Sequence, residues 1–148
     1  MAGLLTTAAP IGAPDAVAAE IHRWAAEPFD LGDGNCGLSV IDYVARATGQ
    51  PAPHWLRRLG RRGAARLMRD DARFERVASA ALAAMQCSGT DSPVRGDVAL
   101  VLLAGSGLTA CICASSANGG LWAARGDRAA VLARGTVRKA WRVRCRRP

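Results

Sequence analysis

The sequence predicts an α+β fold in which a helical lobe precedes an antiparallel sheet. The first half of the chain carries apolar residues at helical spacing, and the second half carries short apolar runs broken by Gly and Asp. The change falls within residues 87–97, which are rich in turn-forming residues. We expect about four helices followed by about five short strands. The 148 residues show no internal repeat and no dividing linker, so we expect an N-terminal arm over residues 1–14 and one domain over residues 15–148.

The first two predicted helices have recognisable starts and stops. Asp15 is a good N-cap for the first helix, and Pro28 stops it. The second helix begins at Cys36, and Gly49 is its C-cap. The buried face of the first helix should hold Val17, Ile21, Trp24 and Ala25. The inner stripe of the second should hold Leu38, Ile41, Val44 and Ala45.

Two further helices are predicted before the sheet. A Pro-rich connector, "QPAPHW", leads to a very basic helix over residues 56–69. Another helix follows over residues 71–86. One face of that last helix should hold Phe74, Val77, Ala81 and Met85.

Five short apolar runs predict the strands. The runs "DVALVLLA" and "LTACICAS" are separated by "GSG", which is a hairpin signal. Three more runs, "GGLWAARG", "RAAVLAR" and "KAWRVRC", complete an expected antiparallel meander. Cys111 and Cys113 alternate within the second run, so they should share one face of a central strand, with Ile112 on the other face.

Composition and charge limit the class of protein. The net charge is +8, which favours an acidic partner such as nucleic acid, anionic lipid or an anionic cell-wall polymer, without choosing among them. No apolar run approaches the roughly 20 residues of a membrane-spanning helix, so we expect no membrane span. The first residues lack a basic region before their short apolar stretch, so we do not expect a signal peptide.

The cysteines do not suggest a metal site or a disulfide framework. Their number, five, is odd, and the chain has only two histidines. Cys111 and Cys113 form C-x-C instead of the C-x-x-C spacing of common zinc sites. We therefore expect reduced thiols, no metal and no cofactor. The five cysteines are Cys36, Cys87, Cys111, Cys113 and Cys145.

Cys36 is the candidate nucleophile. The turn-forming residues of "LGDGN" end directly before it, and an amphipathic helix begins with it. Unpaired N–H groups at a helix N-terminus stabilise a thiolate, which is the reactive form of the side chain. The alternative is that Cys36 is a small apolar residue packed at a helix start. Asp42, six residues further on, should lie on another face as a surface or salt-bridge partner.

A cluster of arginines is the candidate binding surface. The segment "WLRRLGRRGAARLMRDDARFER" places several arginines at i, i+4 spacing on one helical face. We expect an electrostatic contact with an acidic protein partner, and no specific nucleic-acid recognition, because no nucleic-acid motif accompanies the cluster. The alternative is a solvated face countered by Asp70, Asp71 and Glu75. The arginines are Arg57, Arg58, Arg61, Arg62, Arg66 and Arg69, followed by Arg73 and Arg76.

The order of these parts resembles the NlpC-type cell-wall peptidases of the papain-like superfamily. The matching segments are "DGNCGLSVIDYV" for the nucleophile helix, "RGDVALV" for the first long strand and "LTACICASSANGGLWAA" for the next two strands. "NCGLSVIDYVARATGQPAP", the basic helix and "RKAWRV" are similar to a divergent branch encoded among the tail-tip genes of tailed phages and gene-transfer particles. The resemblance covers residues 15–144 and implies a papain-like fold.

The resemblance also implies a catalytic base that this chain lacks. In active members a histidine opens the second long strand and takes the proton of the thiol. Here the corresponding residues are Thr109, Ala110 and Cys111, none of which has an imidazole. His54 would be the base only if the helices fold it back towards Cys36. The Gly96-Asp97 pair should only begin a strand, and we assign it no catalytic role.

The resemblance therefore implies a structural or accessory component of a phage-like tail tip that has lost catalysis. Its expected partners are other tail-tip or hub proteins, with possible contact to peptidoglycan, and its expected location is the virion after synthesis in the bacterial cytoplasm. In the arm, Leu4, Leu5 and Ile11 would gain from burial against a neighbouring subunit. One alternative is an active cysteine peptidase or amidase that cleaves peptidoglycan during genome delivery. The other is a basic intracellular binding module.

Overall fold

The computed structural model describes residues 15–27, 36–105, 107–115, 120–126 and 129–144. The predicted arm, the turn before Cys36 and Cys145 lie outside these residues. Within them, helices precede strands, which confirms the predicted α+β class. The helices are α1 (Ala16–Ala26), α2 (Cys36–Thr48), α3 (His54–Arg57), α4 (Gly60–Met68) and α5 (Asp71–Ala84). The strands are β1 (Ser88–Gly89), β2 (Val98–Leu103), β3 (Gly107–Cys113), β4 (Trp122–Arg125), β5 (Ala130–Ala133) and β6 (Gly135–Arg142).

Local signals place the ends of α1 and α2 correctly. The Asp15 carboxylate accepts a hydrogen bond from the backbone N–H of Ala18 at 2.8 Å, so it caps α1 as predicted. α1 ends two residues before Pro28. Gly49 follows α2 with a φ of 77°, and its N–H donates to the carbonyl of Ala45, as expected of a C-cap.

The buried face of α1 differs from its prediction at two positions. Ala25 is exposed, whereas Glu20 is buried. The carboxylate of Glu20 accepts a hydrogen bond from Nε of Arg46 on α2 at 3.0 Å, with Nη2 of the same side chain at its other oxygen. This paired, hydrogen-bonded geometry is what allows a carboxylate to be buried. The contact joins α1 to α2.

The helix predicted over residues 56–69 is two helices. α3 begins at His54, directly after Pro53, and ends at Arg57. α4 then begins at Gly60, whose φ is +59°. This left-handed conformation interrupts the helical hydrogen-bond ladder, and glycine adopts it without the steric cost that a Cβ imposes. The helical lobe therefore has five helices in the described part, not four.

The strand order of the sheet is β1-β6-β2-β3-β4-β5. The predicted "GSG" hairpin is confirmed, because β2 and β3 pair antiparallel as far as Leu103 and Gly107. The meander is correct through β5 and wrong at β6, which pairs with β2 and begins at Gly135, before the predicted run. β1 comes from the segment predicted as turn and pairs with Trp141 and Arg142 of β6.

The connection between β5 and β6 requires the sheet to curl. Arg134 alone joins these strands, although β4, β3 and β2 lie between them in the strand order. The corner is tight, because a Cβ at Gly135 would lie 2.6 Å from the carbonyl oxygen of Leu102. The enclosed face is filled by a cluster of strand residues without any helix residue: Ala99, Val101, Leu103, Cys111, Cys113, Trp122, Ala124 and Ala140.

The opposite face of the sheet packs against the helices. Leu100, Ile112 and Trp141 from the strands meet Ile41 and Phe74 from the helices in the larger core. Cys111 and Cys113 thus share the enclosed face while Ile112 lies on the helix-facing side, as predicted from their alternation.

The turn before β2 ties the sheet to α2. The hydroxyl of Tyr43 donates to the carbonyl of Gly96 at 2.7 Å. The buried carboxylate of Asp97 accepts hydrogen bonds from the N–H groups of Val94 and Val143 at 2.9 and 3.0 Å, and from Nε of Arg142 at 3.0 Å. The Gly-Asp pair of the sequence is therefore a structural link between this turn and the end of β6.

Candidate functional site

Cys36 is the first residue of α2, which confirms its predicted position at a helix N-terminus. Its residue surface is only 6 % exposed. The sulfur lies near β3, where the backbone N–H of Ala110 is close enough to favour a thiolate, as are the N–H groups of Gly37 and of Cys36 itself. The site is thus the contact between the N-terminus of α2 and the middle of β3.

Two opposing effects act on the thiol of Cys36, and burial is the larger. Burial raises the pKa of the Cys36 thiol, because a thiolate loses the solvation that water would give it. The three backbone N–H groups act in the opposite direction and only partly offset burial. The helix N-terminus therefore has the predicted electrostatic effect, but Cys36 remains a neutral thiol near neutral pH.

Cys111 is the second thiol of this region. Burial, and then the charge that Cys36 would carry, raise the pKa of Cys111 to about 12. The thiol contacts the carbonyl oxygen of Thr109, with the two atoms 3.6 Å apart. Neither cysteine is in a disulfide. Two neighbouring thiols with raised pKa values are poor nucleophiles, since the thiolate is the attacking species.

No imidazole reaches the Cys36 sulfur. The chain has two histidines, and both lie on exposed positions of the helical lobe, His22 on α1 and His54 at the first residue of α3. Neither forms a hydrogen bond to Cys36 in the described part of the chain. The strand residue whose N–H meets the sulfur is Ala110, one of the three residues at which the resemblance places a base.

Arg125 is a residue of this region that sequence reasoning missed. It ends β4 and is buried, and its guanidinium donates to Oγ of Ser39 at 3.0 Å and to the carbonyl of Glu27 at 3.1 Å. Ser39 lies one turn after Cys36, so this contact fixes the first turn of α2 against β4. The only local signal for Arg125 is a single charge that closes the apolar run "LWAAR", and strands commonly end in this way.

An apolar cavity of about 70 Å³ lies beside the site. It lies between the sheet and α2, α4 and α5, and both neighbours of the Cys36 sulfur, Gly37 and Ala110, line it. The other lining residues include Ile41, Phe74 and Trp141. A cavity lined in this way holds no partners for a bound water, since a buried water needs polar groups.

The candidate arginines divide into two groups. Arg57 is engaged within the protein, because its guanidinium donates to the carboxylate of Asp42 at 2.8 Å, which confirms Asp42 as a salt-bridge partner. Burial raises the pKa of Asp42 by more than Arg57 beside it lowers that pKa. The second group is exposed on α4 and its flanking turns: Arg58, Arg61, Arg62, Arg66 and Arg69.

Within the described ranges, no three or more His, Cys, Asp or Glu side chains gather in a way that could hold a metal ion. No helix in those same ranges is long and apolar enough to cross a membrane.

Comparison with known proteins assigns the chain to a family. No curated protein and no solved structure matches it. A family model described as "Domain of unknown function (DUF6950)" matches residues 12–143. Because this match spans most of the 148 residues, the chain belongs to the DUF6950 family.

Proposed function

We propose that this protein is a structural or accessory component of a phage-like tail tip, built on an NlpC-type, papain-like fold without its catalysis. The observation that supports the proposal best is the contact of Cys36 with β3. The helix, the cysteine and the strand have the order of a cysteine peptidase, but the strand residue at the sulfur is Ala110. Cys36 thus has the position of a nucleophile, but the histidine that would activate it is missing.

This arrangement cannot support ordinary thiol hydrolysis. A cysteine peptidase needs a base that removes the thiol proton and then donates a proton to the leaving amine. Burial keeps Cys36 protonated, and both histidines are exposed elsewhere. Contact with peptidoglycan or with hub proteins in such a tail tip would then be binding, not cleavage.

The test combines particle composition with a cleavage assay. The chain should be found by mass spectrometry in purified particles that its own genome encodes. The isolated protein should release no muropeptides from peptidoglycan, and the Cys36→Ala variant should be indistinguishable from it. Release that disappears in Cys36→Ala would instead identify an active peptidase or amidase. If cells produce both the chain and the particles but the particles do not contain the chain, the tail-tip role is rejected and the basic intracellular binding module is favoured.

A further inference from the structure

We propose that the outer face of α3, α4 and α5 binds an acidic protein segment, with Trp55 and Met68 as apolar anchors within a field of arginines. We call this face the arginine surface. It does not include the Cys36 site and is independent of the tail-tip role. Its guanidinium groups are those of Arg58, Arg62, Arg66, Arg69, Arg73 and Arg76, all of them exposed.

The six arginines contrast with three others in the molecule that bind carboxylates. Arg46, Arg95 and Arg142 each bind a carboxylate, at 3.0 Å or less. None of the six forms an ion pair within the part of the chain that the structure describes. Arg62 and Arg66 stand at i, i+4 on α4, a spacing at which like charges destabilise a helix. Carboxylates of a partner would relieve this repulsion.

Two large apolar side chains are exposed on the helices that carry these arginines. Trp55 on α3 is 41 % exposed and Met68 at the end of α4 is 44 % exposed. Ala64 and Leu67 lie on the side of α4 that faces the core. At 3.6 residues per turn, the side of α4 that faces away from the core carries Met68, Ala65, Arg62 and the other arginines of this helix. Trp, Met and Arg are the residue types enriched in protein interfaces and their energetic centres.

The exposed acidic residues favour a protein over a nucleic acid. Asp70 and Asp71 are exposed, and they lie between Arg69 and Arg73 in the sequence. The continuous row of phosphates in a nucleic acid would be repelled by both carboxylates. A protein partner can instead place a cationic side chain opposite them. Trp55 is also the only exposed Trp, Tyr or Phe side chain in the described residues, while surfaces for single-stranded nucleic acids present several such rings for stacking.

Three immobilised anionic probes test the proposal with the full chain. They are polyglutamate, a glutamate-rich random copolymer with tyrosine, and duplex DNA, compared at equal negative charge and moderate salt. The copolymer should bind at least about tenfold more tightly than polyglutamate, and added salt should weaken binding to both. Trp55→Ala should remove the advantage of the copolymer. The double variant R62E/R66E should weaken binding to both polymers.

Substitutions in and beside β5, away from the arginine surface, provide the controls. Leu132→Ala removes an exposed apolar side chain and Arg134→Glu reverses an exposed charge, and neither should change binding. Equal binding of the two polymers, or tighter binding to DNA, would overturn the proposal. So would an Arg134→Glu variant that loses as much affinity as R62E/R66E. Particle incorporation is measured separately, so binding by a chain that never enters particles would reject only the tail-tip role.

Discussion

Replacing Asp97 with alanine should be the most damaging single substitution outside the hydrophobic core. The side chain is buried, with the residue 1 % exposed, and it accepts hydrogen bonds from two backbone N–H groups and from Arg142. Alanine would leave the N–H of Val143 buried without its acceptor. Hydrogen bonds to a charged group contribute about 1.5–3 kcal/mol each, and the carboxylate of Asp97 accepts three of them. Because these effects overlap, we expect a loss of about 3–5 kcal/mol in the free energy of unfolding.

Urea unfolding followed by tryptophan fluorescence measures this loss. The Asp97→Ala variant should show a lower midpoint with an unchanged slope, since the folded structure is kept. Asp97→Asn retains one oxygen acceptor and should cost about half as much. Asp91→Ala, at an exposed position in the same turn region, is the matched control and should stay within about 0.5 kcal/mol of the parent protein. An Asp97→Ala variant within about 1 kcal/mol of the parent would refute the reasoning, because one buried hydrogen bond already contributes that much.

Three other predictions follow from single contacts. Cys111, whose pKa is raised to about 12, should resist iodoacetamide at pH 8 until urea unfolds the chain; mass spectrometry showing equally fast labelling of the native protein would contradict this. The hydrogen bond from Arg95 lowers the pKa of Asp15. The ionised Asp15 therefore stabilises the folded protein above the pKa of the unfolded state, and this stabilisation is lost as the pH falls through the lower pKa of the folded state. Asp15→Ala should therefore cost about 1 kcal/mol in urea unfolding at pH 7 and clearly less below about pH 3, and a cost that stays constant would exclude this linkage. Gly135→Ala should lose about 1–3 kcal/mol because its Cβ would meet backbone at 2.6 Å, whereas Gly89→Ala, with no atom nearer than 3.9 Å, should change stability little.

Features that depend on neighbouring residues were predictable from the sequence. The cap at Asp15, the start of α2 at Cys36 and the hairpin between β2 and β3 each follow from a few adjacent side chains. The break at Gly60 was missed, because a glycine within a helical pattern lowers helix stability without specifying where a left-handed residue will fall. The pairing of β6 with β2 was not predicted, because pairing between segments that are distant in the sequence produces no local sequence pattern.

The chemistry of Cys36 divides in the same way between the sequence and the tertiary structure. The sequence alone determined that a cysteine begins a helix, and that residues 109–111 include no histidine. Only the tertiary structure decided the protonation of the thiol. Packing of α2 against β3 buries the sulfur beside Ala110, and the lost solvation of a thiolate outweighs the backbone N–H groups that favour it. Helix-terminal N–H groups follow from local conformation, whereas desolvation depends on what the rest of the fold places over the sulfur.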